Sequence, residues 1–415
     1  MPWRIFTNEY WSPTEVNNGT HALKYTRQPN DNSFFELLLK IDSKKYHTDH
    51  GALRDTTLYP IFGTGTNTYY ANEAPVGFFG GPAFSVEGRL AFGGAISTSR
   101  DFSKVKTYSL KADYVIQVNQ NNQIKTGSEI VISDLDLKFG SQNEFLPSGN
   151  YWSRSKIRPF RISIYGQDKM EYNGFVATIG ANLDIINPNG EWYNVDSYDD
   201  DFYSSNYSDE IENSLEKKKI STQIELSPRL SISHPITESS KLYFNYGRYQ
   251  QMPISQDLYR VQRGSTQEVL TIGDPSLPMA KTISYEVGFD QSFFESYLVH
   301  LAAYYKDISD QQNYTRYISA NSKVNYSRLT SNSYEDIRGF EIELSKMKGK
   351  WVTGFLNYEY RVNTAGYFGL RRYYENPGDQ RNYELNNEKQ SKPRPIPTIK
   401  SVIDFHTPTD FGPSI

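Results

Sequence analysis

The chain has 415 residues, a net charge of −4 and 15% aromatic residues, with 33 tyrosines in an otherwise polar composition. That charge balance excludes a general nucleic-acid binder, which needs a basic stripe. The absence of cysteine excludes a disulfide framework, a thiolate metal site and a cysteine nucleophile.

Taken in chain order, "MPWRIFTNEYWSP" (1–13) has no apolar centre of the kind a signal peptide requires. The expectation is an interior fragment whose true N-terminus lies upstream. A short turn is predicted at "QPNDN" (28–32), then a long polar stretch at 46–104. "KTYSLKADYVIQVN" (106–119) alternates: Tyr108, Leu110, Ala112, Tyr114, Ile116 and Val118 fall on one side, Ser109, Lys111 and Asp113 on the other. A short turn at "NQNNQ" (119–123), a long stretch at 139–158 and a short turn at "QDKMEYN" (167–173) follow. "NGFVATIGANLDI" alternates in the same way through Phe175, Ala177, Ile179, Ala181 and Leu183. Next come long 188–219, short "PITESS" (235–240) and long 251–280. "KTISYEVGFD" (281–290) sets Ile283, Tyr285, Val287 and Phe289 against Thr282, Ser284, Glu286 and Gly288. Short "QSFFES" (291–296), alternating "SYLVHLAAYYKD" (296–307), long 309–334, alternating "GFEIELSK" (339–346), short "MKGK" (347–350) and long 363–397 complete the series.

Roughly thirteen strands result, many of ten or more residues, against about 5–6 in a usual soluble strand. Tilted strands that cross a bilayer need ~9–11. Short and long connections alternate without exception. In an up-and-down sheet every second connection lies at the same end, so one rim carries tight turns and the other long loops. Outer-membrane barrels have that layout; a soluble sandwich has no reason to sort loop lengths by parity. The apolar faces are therefore expected to meet lipid, the Gly-, Ser-, Thr- and Asn-rich faces a wet lumen, and tyrosines near strand ends an interfacial girdle. The predicted fold class is all-β: part of an antiparallel up-and-down transmembrane β-barrel.

Several stretches resemble a known family. "GDPSLPMAKTISYEVGF" (273–289) followed by "LAAYYKDISD" (301–310) resembles the barrel of TonB-dependent outer-membrane receptors. "LSPRLSISHPITESSKLYFNYGRYQQMP" (226–253), "YGQDKMEYNGFVATIGANLDIINPN" (165–189) and "RGFEIELSK" (338–346) resemble neighbouring strands of the same receptors, in the same order. "HALKYTRQPNDNSFFELLLKIDSKKY" (21–46) and "APVGFFGG" (74–81) look most like the Oar-like receptors of Bacteroidetes-type bacteria. The resemblance implies a barrel of twenty-two strands, of which about thirteen are present. It places residues 1–415 within one such domain, with the plug, signal peptide and C-terminal strands absent. It also implies active uptake of a nutrient across the outer membrane of a Gram-negative bacterium. The implied partners are outer-membrane lipid, a plug, the TonB complex and an unknown nutrient ligand, with no nucleic acid. An adhesin or surface structural barrel that binds without transport is one alternative, and a secreted all-β binding module another.

No enzyme constellation, cofactor motif or metal motif stands out. His47 and His50 sit near Asp49 and Asp55 without a zinc motif. "VDSYDDDFYSSNYSDEIE" (195–212) is acidic but lacks calcium-loop order. "FGTGTN" (62–67) and "FFGGPAF" (78–84) lack the strand–helix context of a phosphate loop. The ligand-binding candidates are loop aromatics and cations: Trp152 and Arg154 (beside Tyr151), Trp192 and Tyr193, and Arg371, Arg372 and Tyr373. Loops on a rigid scaffold carry binding, and rings with arginine make good contacts. The competing expectation is that these rings pack the loops against one another.

Overall fold

The computed structural model describes residues 14–49, 85–86, 90–91, 99–142, 150–264, 266–386 and 390–406. "FGTGTN", "FFGGPAF", "APVGFFGG" and His50 lie outside the described residues.

Thirteen strands of 12 to 22 residues form an antiparallel meander. They are β1 (Thr14–Asn30), β2 (Ser33–Thr48), β3 (Lys104–Gln117), β4 (Asn122–Ser141), β5 (Phe160–Tyr172), β6 (Phe175–Asn187) and β7 (Gln223–Thr237), followed by β8 (Ser240–Gln251), β9 (Ala280–Phe293), β10 (Tyr297–Ile318), β11 (Asn325–Lys346), β12 (Val352–Tyr367) and β13 (Arg394–Phe405). Each long strand pairs along its length with its sequence neighbours. Among the described residues β1 and β13 do not pair with each other, so the sheet is open with two edges.

The six short turns lie at one rim, as expected, and most are tied to the next. The Asn32 carbonyl accepts from the Gln117 amide, and the Asn121 carbonyl from the Glu171 amide. The Phe175 and His234 rings meet at 6.0 Å. The Ser239 carbonyl accepts from Ser292, and the Ser296 carbonyl from Met347. The strand pair β5–β6 is tighter than the sequence suggests. "QDKMEY" is strand, and the turn is Asn173–Gly174 alone, with φ of 48° and 82°. Both central residues of a twist-matching two-residue turn need positive φ, which Asn and Gly supply.

One long connection also departs from expectation. Residues 309–334 are mostly strand: β10 and β11 run past their neighbours and close through 319–324. Shorter strands dock on this tall hairpin in parallel, Thr271–Ile272 beside β11 and Arg372–Tyr374 beside β10. Among the described residues four short helices, α1 (Asp200–Tyr203), α2 (Asp209–Ser214), α3 (Ser255–Leu258) and α4 (Pro377–Asn386), all lie in long loops. None is long and apolar enough to cross a membrane.

The two faces differ in chemistry. Leu23, Leu39, Leu110, Ile130, Ile162, Ile185 and Ile224 follow one another in register across seven strands on the outward face. On the inward face Arg161 pairs with Glu129 at 2.8 Å, Thr107 with Ser133 at 3.1 Å, and Asn245 bridges Ser231 and Glu286. Among the described residues no second layer covers the outward side: Val287, Tyr285 and Tyr305 stay 45%, 42% and 38% exposed. The most buried side chains are instead in the long loops and the tall hairpin, where Phe202, Tyr203, Val269, Ile272, Val324 and Tyr326 form the main core.

Candidate functional site

The long loops are joined into one body by rings. Tyr203, Tyr326, Tyr317 and Tyr373 stack in sequence, with centroids 4.0, 5.4 and 5.4 Å apart. Tyr259 ties three loops together: its hydroxyl donates to the Pro188 carbonyl at 2.7 Å, and its carbonyl accepts from Ser155 Oγ at 3.0 Å. Two side chains of the stretch 195–212 cap its own short helices. Asp199 caps α1 by accepting from the Phe202 amide, and Ser208 caps α2. His47 packs edge-on against Phe102 at 5.2 Å.

Between these loops lies a cleft of about 620 Å³. Its walls are the strand Tyr151–Ile157, the small hairpin Glu191–Tyr193 with Lys217–Lys219, helix α2 and the strand Val261–Arg263. Trp152, Arg154, Trp192 and Tyr193 all line it. Four candidates from two separate loops thus share one site. Trp152 is held by Phe102 at 5.9 Å and by the Lys138 ammonium 5.1 Å from its centroid. Trp192 stands between Tyr193 at 5.2 Å and Tyr259 at 6.0 Å. Arg154 is exposed at the wall.

The polar centre of the cleft was not legible in the sequence. Glu212 accepts from the Tyr193 hydroxyl at 2.7 Å and the Tyr207 hydroxyl at 2.8 Å, with Lys217 Nζ at 3.3 Å. Burial works to raise the Glu212 carboxyl, but the two hydroxyls and Lys217 outweigh it and hold it below the usual carboxylate range. Burial, reinforced by Glu212, pushes the Tyr193 phenol up, so it stays a neutral donor. Arg263 lies 3.3 Å above the Tyr207 ring, and its Nη1 donates to the Phe202 and Gln267 carbonyls at 2.9 and 2.8 Å. Its Nη2 is buried with no hydrogen-bond partner among the described residues. Glu212 and Arg263 come from different loops, 51 positions apart, and no local motif announces either.

Arg371, Arg372 and Tyr373 do not line this cleft. Arg371 covers the Tyr367 ring at 4.6 Å, Arg372 faces Tyr383 at 5.9 Å, and Tyr373 ends the four-ring stack. For Tyr373, the structure shows ring packing between loops. Among the described residues no group of three or more His, Asp or Glu side chains could hold a metal ion.

The comparisons with known proteins agree with this architecture. The model of the family "TonB dependent receptor-like, beta-barrel" matches residues 2–400. Among solved structures, the fold is similar to a double mutant of the Serratia marcescens hemophore receptor HasR in complex with its hemophore HasA and heme. That likeness has a TM-score of 0.54 and 13% identity, over 86% of this chain and 56% of the other. The outer membrane transporter YddB from Escherichia coli is similar at TM-score 0.53 and 13% identity, over 86% and 43%. The copper transporter OprC is similar at TM-score 0.51 and 11% identity, over 85% and 50%. The chain spans about half the length of these structures. No curated protein matches the sequence. The family match reaches from before β1 into β13, through the whole meander rather than one motif, and on that ground the chain belongs to the TonB-dependent receptor-like β-barrel family.

Proposed function

We propose that residues 1–415 are barrel wall and outer loops of a Gram-negative outer-membrane receptor that captures a nutrient ligand in the loop cleft and imports it with energy supplied through TonB. In this reading the short turns face the periplasm and the long loops the exterior. The observation that carries it is the cleft itself: aromatic walls from three loops around the Arg263 guanidinium, whose Nη2 has no hydrogen-bond partner among the described residues. Trp152, Trp192 and Tyr193 offer flat apolar faces, and Arg263 and Arg154 offer charge-assisted donors. A ring-bearing ligand with an anionic group fits that set. The polar inner wall of the sheet leaves the plug and the TonB complex as the partners that would complete transport. Of the similar solved structures, one is a hemophore receptor in complex with its hemophore and heme and another a copper transporter, and at 11–13% identity they speak to the fold alone.

The test is uptake of a panel of labelled ferric complexes, cobalamin, glycans and peptides by cells with the full gene, without it, and without TonB. The account expects one class whose uptake is lost in both deletions and falls at least tenfold in Arg263→Gln. Binding that survives loss of TonB, with no uptake of any class, would favour the adhesin reading.

A further inference from the structure

Towards the long-loop rim, the outward face of β2 to β5 changes from apolar to cationic within two residues. On β2, Leu39 and Ile41 give way to Ser43 and Lys45; on β3, Leu110 and Tyr108 give way to Lys106 and Lys104. The register sets Lys45 opposite Lys104, and sets Asp136 between Lys104 and Lys156. Arg158 pairs with Asp134 at 3.0 Å. These side chains line a groove of about 920 Å³. Six cations, Lys44 among them, line it against two carboxylates, and among the described residues Arg158 alone of the six has a carboxylate within 4.0 Å. The Lys106 ammonium sits 5.5 Å from the Tyr108 ring centroid, directly above the apolar row.

Height matters here. Lys106 and Lys104 stand two and four residues beyond Tyr108, about 7 and 13 Å along a strand. With a tilt near 40° this is roughly 5–10 Å of height. A headgroup layer is roughly 5–8 Å thick on each side of the hydrocarbon. The cations therefore lie at the depth of lipid phosphates. They are also local. At the corresponding place on β10 and β11, just beyond Tyr305, the outward residues are Asp307 opposite Asp336, with Arg338 beside them. There the outward face is not a run of cations; in this sector it is.

We propose that the groove of Lys45, Lys104, Lys106, Lys156 and Arg158 binds the phosphate of an anionic lipid headgroup in the leaflet on the long-loop side. Four ammonium groups and an arginine around one groove suit a phosphate monoester or diester, and the adjoining apolar row supplies a wall for its acyl chains. The proposal rests on the membrane-spanning reading of the sheet.

The test uses the full-length receptor in nanodiscs containing either phosphorylated lipid A or the same lipid without phosphates. Lipid retained per receptor is counted by native mass spectrometry. Three forms are compared: the wild type, the triple variant Lys104→Gln/Lys106→Gln/Lys156→Gln, and a triple variant of equal charge, Lys218→Gln/Lys219→Gln/Lys350→Gln. Heat-modifiable gel mobility confirms that each is folded, and Lys→Arg at the three groove positions guards against a purely structural loss. The expected result is at least tenfold weaker retention of phosphorylated lipid in the groove variant only, rescue by arginine, and no effect on the dephosphorylated lipid. Equal retention by all variants, or equal retention of both lipids, overturns the site. Displacement of the lipid by millimolar inorganic phosphate would make the groove a soluble-phosphate site and overturn the lipid assignment. A receptor that fails to enter nanodiscs overturns the membrane reading, and the headgroup site with it.

Discussion

Single residues show how the sheet is fitted together. Gly127, Gly288 and Gly339 lie directly opposite Tyr165, Tyr243 and Tyr304 on the neighbouring strand. A Cβ at Gly127 would come within 2.7 Å of the Tyr165 ring, one at Gly339 within 2.8 Å of Tyr304, and one at Gly288 would enter the Tyr243 ring. Each glycine thus lets a lumenal ring lie flat across the strand. Gly166 faces open space. Gly288→Ala is expected to cost about 1–3 kcal/mol, as overpacking does, while Gly166→Ala is expected to be neutral or slightly stabilising. Urea titrations of the full-length receptor in vesicles measure both. Glu212 gives a pH prediction. Its folded carboxyl binds a proton less readily than its ordinary value near 4.5, so its stabilisation is complete above that pH and is lost as pH falls through the lower, folded value. Hydrogen exchange of residues 188–222, corrected for intrinsic rates, should show protection dropping below about pH 4.5. Glu212→Gln should lower protection at pH 6 and remove most of that step; an unchanged step would assign it to other carboxylates. The aromatic half of the cleft was readable because Trp152, Trp192 and Tyr193 stand out in polar loops. Glu212 and Arg263 were not, since their roles arise from contacts that only the folded loops create.

Strands were legible wherever their two faces meet different surroundings. "KTISYEVGFD" alternates because one face of β9 is apolar and outward and the other wet. The upper parts of β10 and β11 do not alternate. In "DQQNYTRYISANSKVNYSRL" polar and aromatic residues fall on both faces, because that hairpin stands clear of the apolar row and packs against loops. Backbone ladders and stacked tyrosines hold it, neither of which leaves a period-two hydrophobic signature. Across β8, β9 and β10 the girdle is visible as a row: Tyr246 to Tyr285 at 5.2 Å, Tyr285 to Tyr305 at 6.4 Å, with the Tyr305 hydroxyl on Asp336 at 3.0 Å. Val287 lies one outward position deeper. Val287→Arg should therefore cost roughly 2–4 kcal/mol, as for a cation near a bilayer midplane. Tyr305→Arg should cost under about 1 kcal/mol, since the guanidinium reaches the interface and Asp336. Vesicle-folding titrations that returned equal, large losses at both positions would mean that this face meets protein.

At the scale of the whole molecule, the sheet sorts its chemistry by side and by rim. Outward it is apolar, inward polar and hydrogen-bonded, tight at one rim and capped by packed loops at the other. The rims followed from loop-length parity and the faces from strand alternation, whereas the shape of the cap did not, because its core is built from residues of three separate connections. An apolar face of this extent, with both edge strands unpaired, should not remain monomeric in water. Sedimentation without detergent should show association, and a cooperatively folded monomer there would count against a lipid-facing surface. The most direct test of that surface exploits the absence of cysteine from these 415 residues. Val287→Cys and Glu286→Cys, one outward and one inward on the same strand, are labelled with an environment-sensitive fluorophore in the full-length receptor and reconstituted with mid-chain brominated lipids. The account predicts strong quenching by the brominated lipid at Val287→Cys alone, with iodide in the water quenching Glu286→Cys alone. Quenching of both labels by iodide, and of neither by the lipid, would contradict it.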